Sequence, residues 1–357
     1  MKITLFIDSL CAGGAQRQLV GLAKLLKEKA HEVEVLVYHK NEFYLKFLKE
    51  NDIKYRYISK AENKKTRVFH IIRYLRYNQP DVLISFLSSP NIIACIAKLF
   101  LRNTKLLVSE RNTTQVVRIN EKLRFFLYRL ADNVVPNSYT QERFINKNFP
   151  YLKEKVVVIT NFVETTYFNP LDNKVEVVSP LLISVGRITP QKNILNYLKA
   201  LRVIVDKGFA FKAIWYGNTD DEQYYSSCKL LIDELNLHGY FEFRAATKQI
   251  KEEYQKADVF CLPSIYEGFP NVLCEAMSCG LPVLCSNVCD NSQIAEQDKS
   301  GFLFDPNRVD EIAVAIERML NSSEVSRQKM SRFNRNRAVG MFSETSFIKK
   351  YLDIIEN

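Results

Sequence analysis

Two glutamates and two cations are the residues of this chain best spaced to do chemistry together. Glu267 and Glu275 lie eight positions apart in Glu267-Gly-Phe-Pro-Asn-Val-Leu-Cys-Glu275, and Arg187 and Lys192 lie in Gly186-Arg-Ile-Thr-Pro-Gln-Lys-Asn193. Two carboxylates can serve as general acid and base, or can hold hydroxyl groups. Two cations can hold a phosphate by charge-assisted hydrogen bonds. Taken singly, each motif also fits ordinary surface charges.

Local context raises the functional reading. Val259–Leu262 reads as a short apolar strand, Gly268 and Pro270 break it, and Asn271–Ser278 repeats apolar residues at helical spacing. One glutamate therefore falls on a loop and the other inside a helix, with the helix start between them. Unpaired N–H groups and the helix dipole make that start a natural seat for an anion, so a phosphate-bearing ligand is expected. Pro270 suits an early helical position. Thr189 and Pro190 likewise read as an N-cap and first helical residue, which places Lys192 in a first turn where a cation opposes the dipole. An anion held between Arg187 and Lys192 would explain that placement; two solvated charges are the alternative.

Other strand ends offer less specific signals. Gly13 and Gly14 follow the first expected strand and would let backbone approach a ligand closely, or make a plain turn. They do not form G-x-G-x-x-G, so a dinucleotide site has weak support. Strand five ends in Ser109-Glu110-Arg111-Asn112, where Glu110 or Arg111 could orient an acceptor or form a structural ion pair. Five cysteines, Cys261, Cys274, Cys279, Cys285 and Cys289, lie close together without a C-x2-C pair or a nearby histidine. Most sit in apolar settings and read as reduced, mostly buried thiols in a reducing cytoplasm rather than as a metal site.

The elements that must position these residues alternate along the chain. Strands are expected near 2–8, 33–38, 54–58, 82–86, 105–108, 133–136 and 156–159, then near 181–185, 211–216, 240–243, 258–262, 282–285 and 302–304. Helices lie between them, including 192–206, 221–236, 248–256, 271–279 and 309–320. This is the pattern of parallel sheets covered on both faces, and 357 residues exceed what one core usually serves. Two doubly wound α/β domains follow, residues 1–165 and 166–340. The polar stretch from Thr160 to Pro180, with Asn161, Asp172 and Asn173, is the expected linker. A final segment, 341–357, carries Phe347, Ile348, Tyr351, Leu352 and Ile355 on one stripe that would pack back on a domain surface, with that of the first as the candidate.

Charge is divided unevenly. Residues 1–170 hold 28 Lys and Arg against 15 Asp and Glu, a net +13, whereas residues 171–357 hold 22 against 25, a net −3. Nucleic acid, anionic lipid or a phosphorylated substrate would suit such a surface. No nucleic-acid motif accompanies it. Lys64–Asn78 and Arg118–Leu130 both mix basic residues with Phe, Ile and Leu at helical spacing, fitting either a membrane surface or helices with solvated basic faces. The start, Met1–Ser9, reads as a buried strand rather than a signal peptide. The longest uncharged run, Val82–Ala97, has 16 residues and is too short to span a bilayer.

Taken together, Gly13-Gly14, the segment 186–193 and Glu267-Gly-Phe-Pro-Asn-Val-Leu-Cys-Glu-Ala-Met-Ser-Cys-Gly-Leu-Pro-Val283 resemble the retaining glycosyltransferases of the GT-B fold, family four. Pro136-Asn137-Ser138 and Asn161-Phe-Val extend the resemblance, which runs in order through nearly the whole chain. It implies two facing Rossmann-like domains with a cleft between them, the second binding a nucleotide-diphosphate sugar and the first an acceptor. By this resemblance Arg187 and Lys192 hold the diphosphate, Glu275 the ribose hydroxyls and Glu267 the donor sugar. Backbone from Phe269 through Pro270 and Asn271 to Val272 meets sugar or phosphate, and Gly13 and Gly14 meet the diphosphate. No D-x-D occurs, so two cations and a helix start are expected in place of a metal. The expected reaction moves a hexose or N-acetylhexosamine from a nucleotide sugar, with UDP favoured, to a lipid-linked glycan at an anionic cytoplasmic membrane face. A nucleotide-sugar 2-epimerase and a non-catalytic nucleotide-sugar-binding module are the alternatives. Many relatives place a histidine near the reacting sugar, and His31, His39, His70 and His238 are not convincingly placed for that.

Overall fold

The computed structural model describes residues 1–111, 114, 116–171 and 179–356. It divides the chain into two compact units, the first formed by Met1–Asn161 and Glu344–Asn357 and the second by Phe162–Ser343. Asn112, Asp172 and Asn173, named above, lie outside the described residues.

The first unit holds six parallel strands: β1 (Lys2–Phe6), β2 (Glu32–Val37), β3 (Lys54–Tyr57), β4 (Val82–Phe86), β5 (Lys105–Glu110) and β6 (Asn133–Pro136). Their spatial order is β3-β2-β1-β4-β5-β6. The second unit repeats the plan with β7 (Leu181–Val185), β8 (Lys212–Tyr216), β9 (Phe241–Arg244), β10 (Val259–Leu262), β11 (Val283–Ser286) and β12 (Gly301–Phe304), in the order β12-β11-β10-β7-β8-β9. Each sheet thus reverses its winding once, between β1 and β4 and between β7 and β10. Ligands of such sheets bind outside the carboxyl ends of the strands at that reversal.

Strand periodicity explains how the second sheet is buried on both sides. Leu182, Ala213, Trp215, Cys261 and Leu284 enter one apolar cluster, while their neighbours Ile183, Ile214, Tyr216, Phe260 and Val283 enter another. Alternate side chains point to opposite faces, so a strand covered by helices on both faces must be apolar throughout.

The structure corrects several expectations. Residues 156–159 form no regular strand; Val156 makes an isolated bridge to Val134, and the N–H groups of Val157 and Ile159 donate to Val134 and Pro136. Thr189 starts only a short 3-10 turn, Pro190–Lys192, and Asn193 then adopts a left-handed conformation (φ 58°, ψ 37°) before the helix Ile194–Asp206 begins. Lys192 therefore precedes that helix instead of occupying its first turn. Pro270 is the N-cap of Asn271–Ser278 and not its first residue. A further helix, Glu324–Phe342, has weak apolar periodicity because its buried line is Met330, Asn334, Ala338 and Phe342. Asn334 is buried there because its amide donates to the carbonyls of Leu281 and Ser300.

The last helix, Glu344–Glu356, buries Phe347, Ile348, Tyr351 and Ile355 and packs against Gly14–Glu28 within the first unit. Among the described residues, no helix is long and apolar enough to cross a membrane.

Candidate donor site in the second unit

The sheet reversal of the second unit brings together the two loops that carry the sequence signals. β7 and β10 are hydrogen-bonded neighbours, with Leu182 opposite Val259 and Ile183 opposite Phe260. The loops leaving their carboxyl ends are therefore adjacent. Hydrogen bonds join them, among them Ile265 N–H to Gln191 O at 2.9 Å, Gln191 Nε2 to Tyr266 O at 2.8 Å, and Asn193 Nδ2 to Pro263 O at 3.1 Å. The same Asn193 amide donates to Pro306 O at 2.6 Å, so one buried side chain ties the ends of three strands.

At the end of this seam Lys192 Nζ donates to Glu267 Oε1 at 2.6 Å. Both side chains are largely withdrawn from water, at 13% and 8% exposure. A pair this dry is held by geometry, since removing either partner leaves an uncompensated buried charge. Gly186 makes room for it. A Cβ on residue 186 would stand 3.0 Å from Lys192 Cε, so any larger residue would displace the lysine stem. Gly217 is constrained more severely, because its Cβ would fall 1.9 Å from Gly186 O.

The remaining residues are placed differently from one another. Arg187 is 70% exposed and lies 3.7 Å from Asp220, itself 79% exposed. Such a pair contributes little and leaves Arg187 free to turn. Glu275 is buried in the helix, and Tyr254 OH donates to its Oε2 at 3.4 Å. Phe269 is buried edge-on against Phe342, with ring centres 5.6 Å apart. At the helix start, Asn271 N–H donates to Phe269 O and Leu273 N–H to Pro270 O, which leaves Val272 N–H open among the described residues. Asn271 and Val272 are half-buried. The anion seat at this helix is therefore narrower than an intact set of free N–H groups.

In the first unit, Gly13 caps Gly14–Glu28, a helix with no acidic residue in its first turn. A Cβ on Gly13 would lie 2.3 Å from Gln16 Oε1, so this glycine lets Gln16 fold back over the turn. Glu110 and Arg111 do not pair with each other. Glu110 is buried and accepts from Tyr128 OH and from Asn91 Nδ2 (3.4 Å), with Arg124 Nη2 3.4 Å from its other oxygen. Burial pushes its carboxyl above the usual range despite Arg124 and these donors. Arg111 donates to Asn161 Oδ1 at 2.8 Å and Tyr351 OH at 2.6 Å, and its guanidinium lies 4.3 Å from the Phe86 ring centre.

Reasoning from sequence missed Asn193, Gln191, Tyr254, Arg124 and Tyr351 as partners of the named residues. Asn193 was in view as the residue after Lys192, and asparagine's tolerance of left-handed backbone was the available signal. Tyr351 could not be linked to Arg111 without knowing how the last helix packs.

These loops coincide with the segments matched by two protein families. The family model described as Glycosyl transferases group 1 matches residues 172–337, and that described as Glycosyltransferase Family 4 matches residues 12–167. The chain belongs to the GT-B glycosyltransferases of family 4. A Campylobacter jejuni alpha-1,4-N-acetyl-D-galactosaminyltransferase, named for a diphosphoundecaprenol-linked GalNAc glycan, is 28% identical to this glycosyltransferase over 92% of its chain and 91% of the relative's. An N-acetylgalactosamine-N,N'-diacetylbacillosaminyl-diphospho-undecaprenol 4-alpha-N-acetylgalactosaminyltransferase from the same species is 25% identical over 91% of each chain. Among solved structures, Anabaena Alr3699/HepE in complex with UDP superimposes with a TM-score of 0.88 at 18% identity, over 100% of both chains. At that identity the likeness concerns the fold.

Proposed function

We propose that this glycosyltransferase moves a hexose or N-acetylhexosamine from a UDP-sugar to a lipid-linked glycan. The anomeric configuration is retained, no metal ion takes part, and the protein sits peripherally on the cytoplasmic face of a membrane. The observation that carries the reading is the Lys192–Glu267 pair, set where the second sheet reverses. Support for the acceptor comes from relatives named for diphosphoundecaprenol-linked substrates, and for the donor from a neighbour of the same fold solved with UDP-glucose. Support for retention comes from the alpha linkages in the relatives' names.

In this account Lys192 lies beside the leaving diphosphate and offsets charge as it develops, while Glu267 fixes the ammonium and faces the sugar. Arg187 turns from Asp220 toward the diphosphate. Glu275 receives the ribose hydroxyls, which requires it to loosen from Tyr254. Val272 N–H, with the backbone of Phe269, Pro270 and Asn271 around it, contacts sugar or phosphate. The acceptor oxygen forms its bond to the anomeric carbon on the face from which the UDP oxygen departs. Its proton passes to a phosphate oxygen of the leaving UDP, so no protein nucleophile is needed.

Incubation with UDP-, GDP- and ADP-sugars and a membrane extract, with and without EDTA, tests the reading. Transfer of label from a UDP-sugar to lipid, unaffected by EDTA, is expected. Loss of transfer on chelation would remove the metal-free claim, and transfer from GDP- or ADP-sugars alone would remove the UDP claim.

A further inference from the structure

The basic charge of the first unit is concentrated on one layer of helices. Ser88–Lys98 packs between Arg67–Asn78 on one side and Ile119–Leu127 on the other. Residues 63–80 and 88–104 contain no Asp or Glu, and residues 116–130 contain only Glu121. That glutamate is half-buried and accepts from the backbone N–H of Arg118 at 3.1 Å, so its charge is turned toward its own helix end.

The same layer exposes large apolar side chains in register with its cations. On Ile119–Leu127, Ile119 is 83% exposed, Leu123 58% and Phe126 55%, at spacings of four and three that form one stripe. Lys122 and Arg129 are exposed beside them. On Arg67–Asn78, Phe69 is 62% and Tyr77 91% exposed, next to exposed Arg73 and Arg76. The inward residues of both helices, Ile71, Leu75 and Phe125, already complete the core, so the outer stripe is surplus to folding. By contrast, Leu230 and Val314 of the second unit are exposed on separate helices of a half with net negative charge.

We propose that the outer face of Arg67–Asn78 and Ile119–Leu127 docks this protein on an anionic lipid surface. Apolar side chains enter the boundary between headgroups and acyl chains, and the neighbouring cations meet the lipid phosphates. A basic helix with one apolar face and no capacity to span is the form that lies in the plane of a membrane. Charge complementarity selects lipid over a second copy of the chain, because two such faces would repel each other. The proposal gives the membrane-facing part of the function above a location, and rests on that reading only for its purpose.

Vesicle flotation tests it, using phosphatidylcholine with and without about one third phosphatidylglycerol, at low and high salt. Wild type should float with the anionic vesicles at low salt and be released by salt. Ile119→Ser/Leu123→Ser/Phe126→Ser and Arg73→Gln/Arg76→Gln/Lys122→Gln should each float at least about tenfold less, while Leu230→Ser/Val314→Ser floats as wild type does. Failure of wild type to float, or flotation of the first triple variant at the wild-type level, would overturn the docking face. Calorimetric titration with UDP separates the two readings. Vesicle binding without UDP binding keeps the docking face and removes the donor reading; UDP binding without vesicle binding does the reverse.

Discussion

Lys192 and Glu267 are joined across the reversal of the second sheet by a 2.6 Å contact that is largely shielded from water. Neither residue belongs to a regular strand or α-helix, so the seam of loop hydrogen bonds fixes both. The expected consequence is strong coupling. Lys192→Met or Glu267→Gln alone should each lower stability by roughly 3 kcal/mol, whereas the double variant should recover much of the loss, because no charge is then left buried alone. Urea unfolding of the four proteins measures the coupling.

Catalysis should separate Lys192 from Glu275. Lys192→Ala should lower kcat by about 10²- to 10³-fold, the usual cost of losing a group that stabilises charge in the transition state. Glu275→Ala should act mainly through a raised KM for the donor. Steady-state kinetics with a UDP-sugar distinguishes the two patterns.

Asn193 supplies a backbone prediction. Its left-handed φ and its two side-chain hydrogen bonds are separate contributions. Asn193→Gly keeps the backbone freedom and loses the bonds, whereas Asn193→Ala loses both. The alanine variant should be less stable than the glycine variant by about 1 kcal/mol, and both less stable than wild type. Thermal unfolding orders the three.

Much of the second unit was legible in the sequence because strand ends, turn residues and charged motifs coincide there. β7 and β10 are short apolar runs, and Gly186, Gly268 and Pro270 punctuate them. The helix Glu324–Phe342 was not legible, because a buried Asn334 occupies a position that an apolar residue would have marked. Arg124 illustrates the opposite error. It counts as a cation in a basic helix, yet it is buried against Ser88, Thr114 and Glu110. The pairing of Arg111 with Tyr351 depends on packing between segments 240 residues apart, which no local pattern encodes.

Glu110 predicts a pH dependence. Burial raises its folded pKa above the ordinary 4.5, so between the two values the folded state binds more protons than the unfolded state. Its contribution to stability is full below about 4.5 and declines as pH rises toward the folded value. Glu110→Gln should flatten that part of the profile. Urea unfolding of both proteins from acid to neutral pH, compared by difference, isolates this one group.

Thiol accessibility gives an independent check of the packing. Cys95, Cys228, Cys261, Cys274, Cys279 and Cys285 are buried, and burial pushes the Cys285 thiol up to about 12; Cys11 and Cys289 are partly exposed. An aromatic disulfide reagent should titrate two thiols rapidly in the native protein and all eight after unfolding. Rapid reaction of more than two would contradict the burial of at least one of these six thiols.

Calorimetric titration of UDP into wild type and Lys192→Ala tests the central claim most directly. If the loops of the second unit hold the donor diphosphate at Lys192, wild type binds UDP and the variant binds it at least about tenfold more weakly, a difference of about 1.4 kcal/mol. Equal affinity in the two proteins, with the variant folded by circular dichroism, would contradict the account.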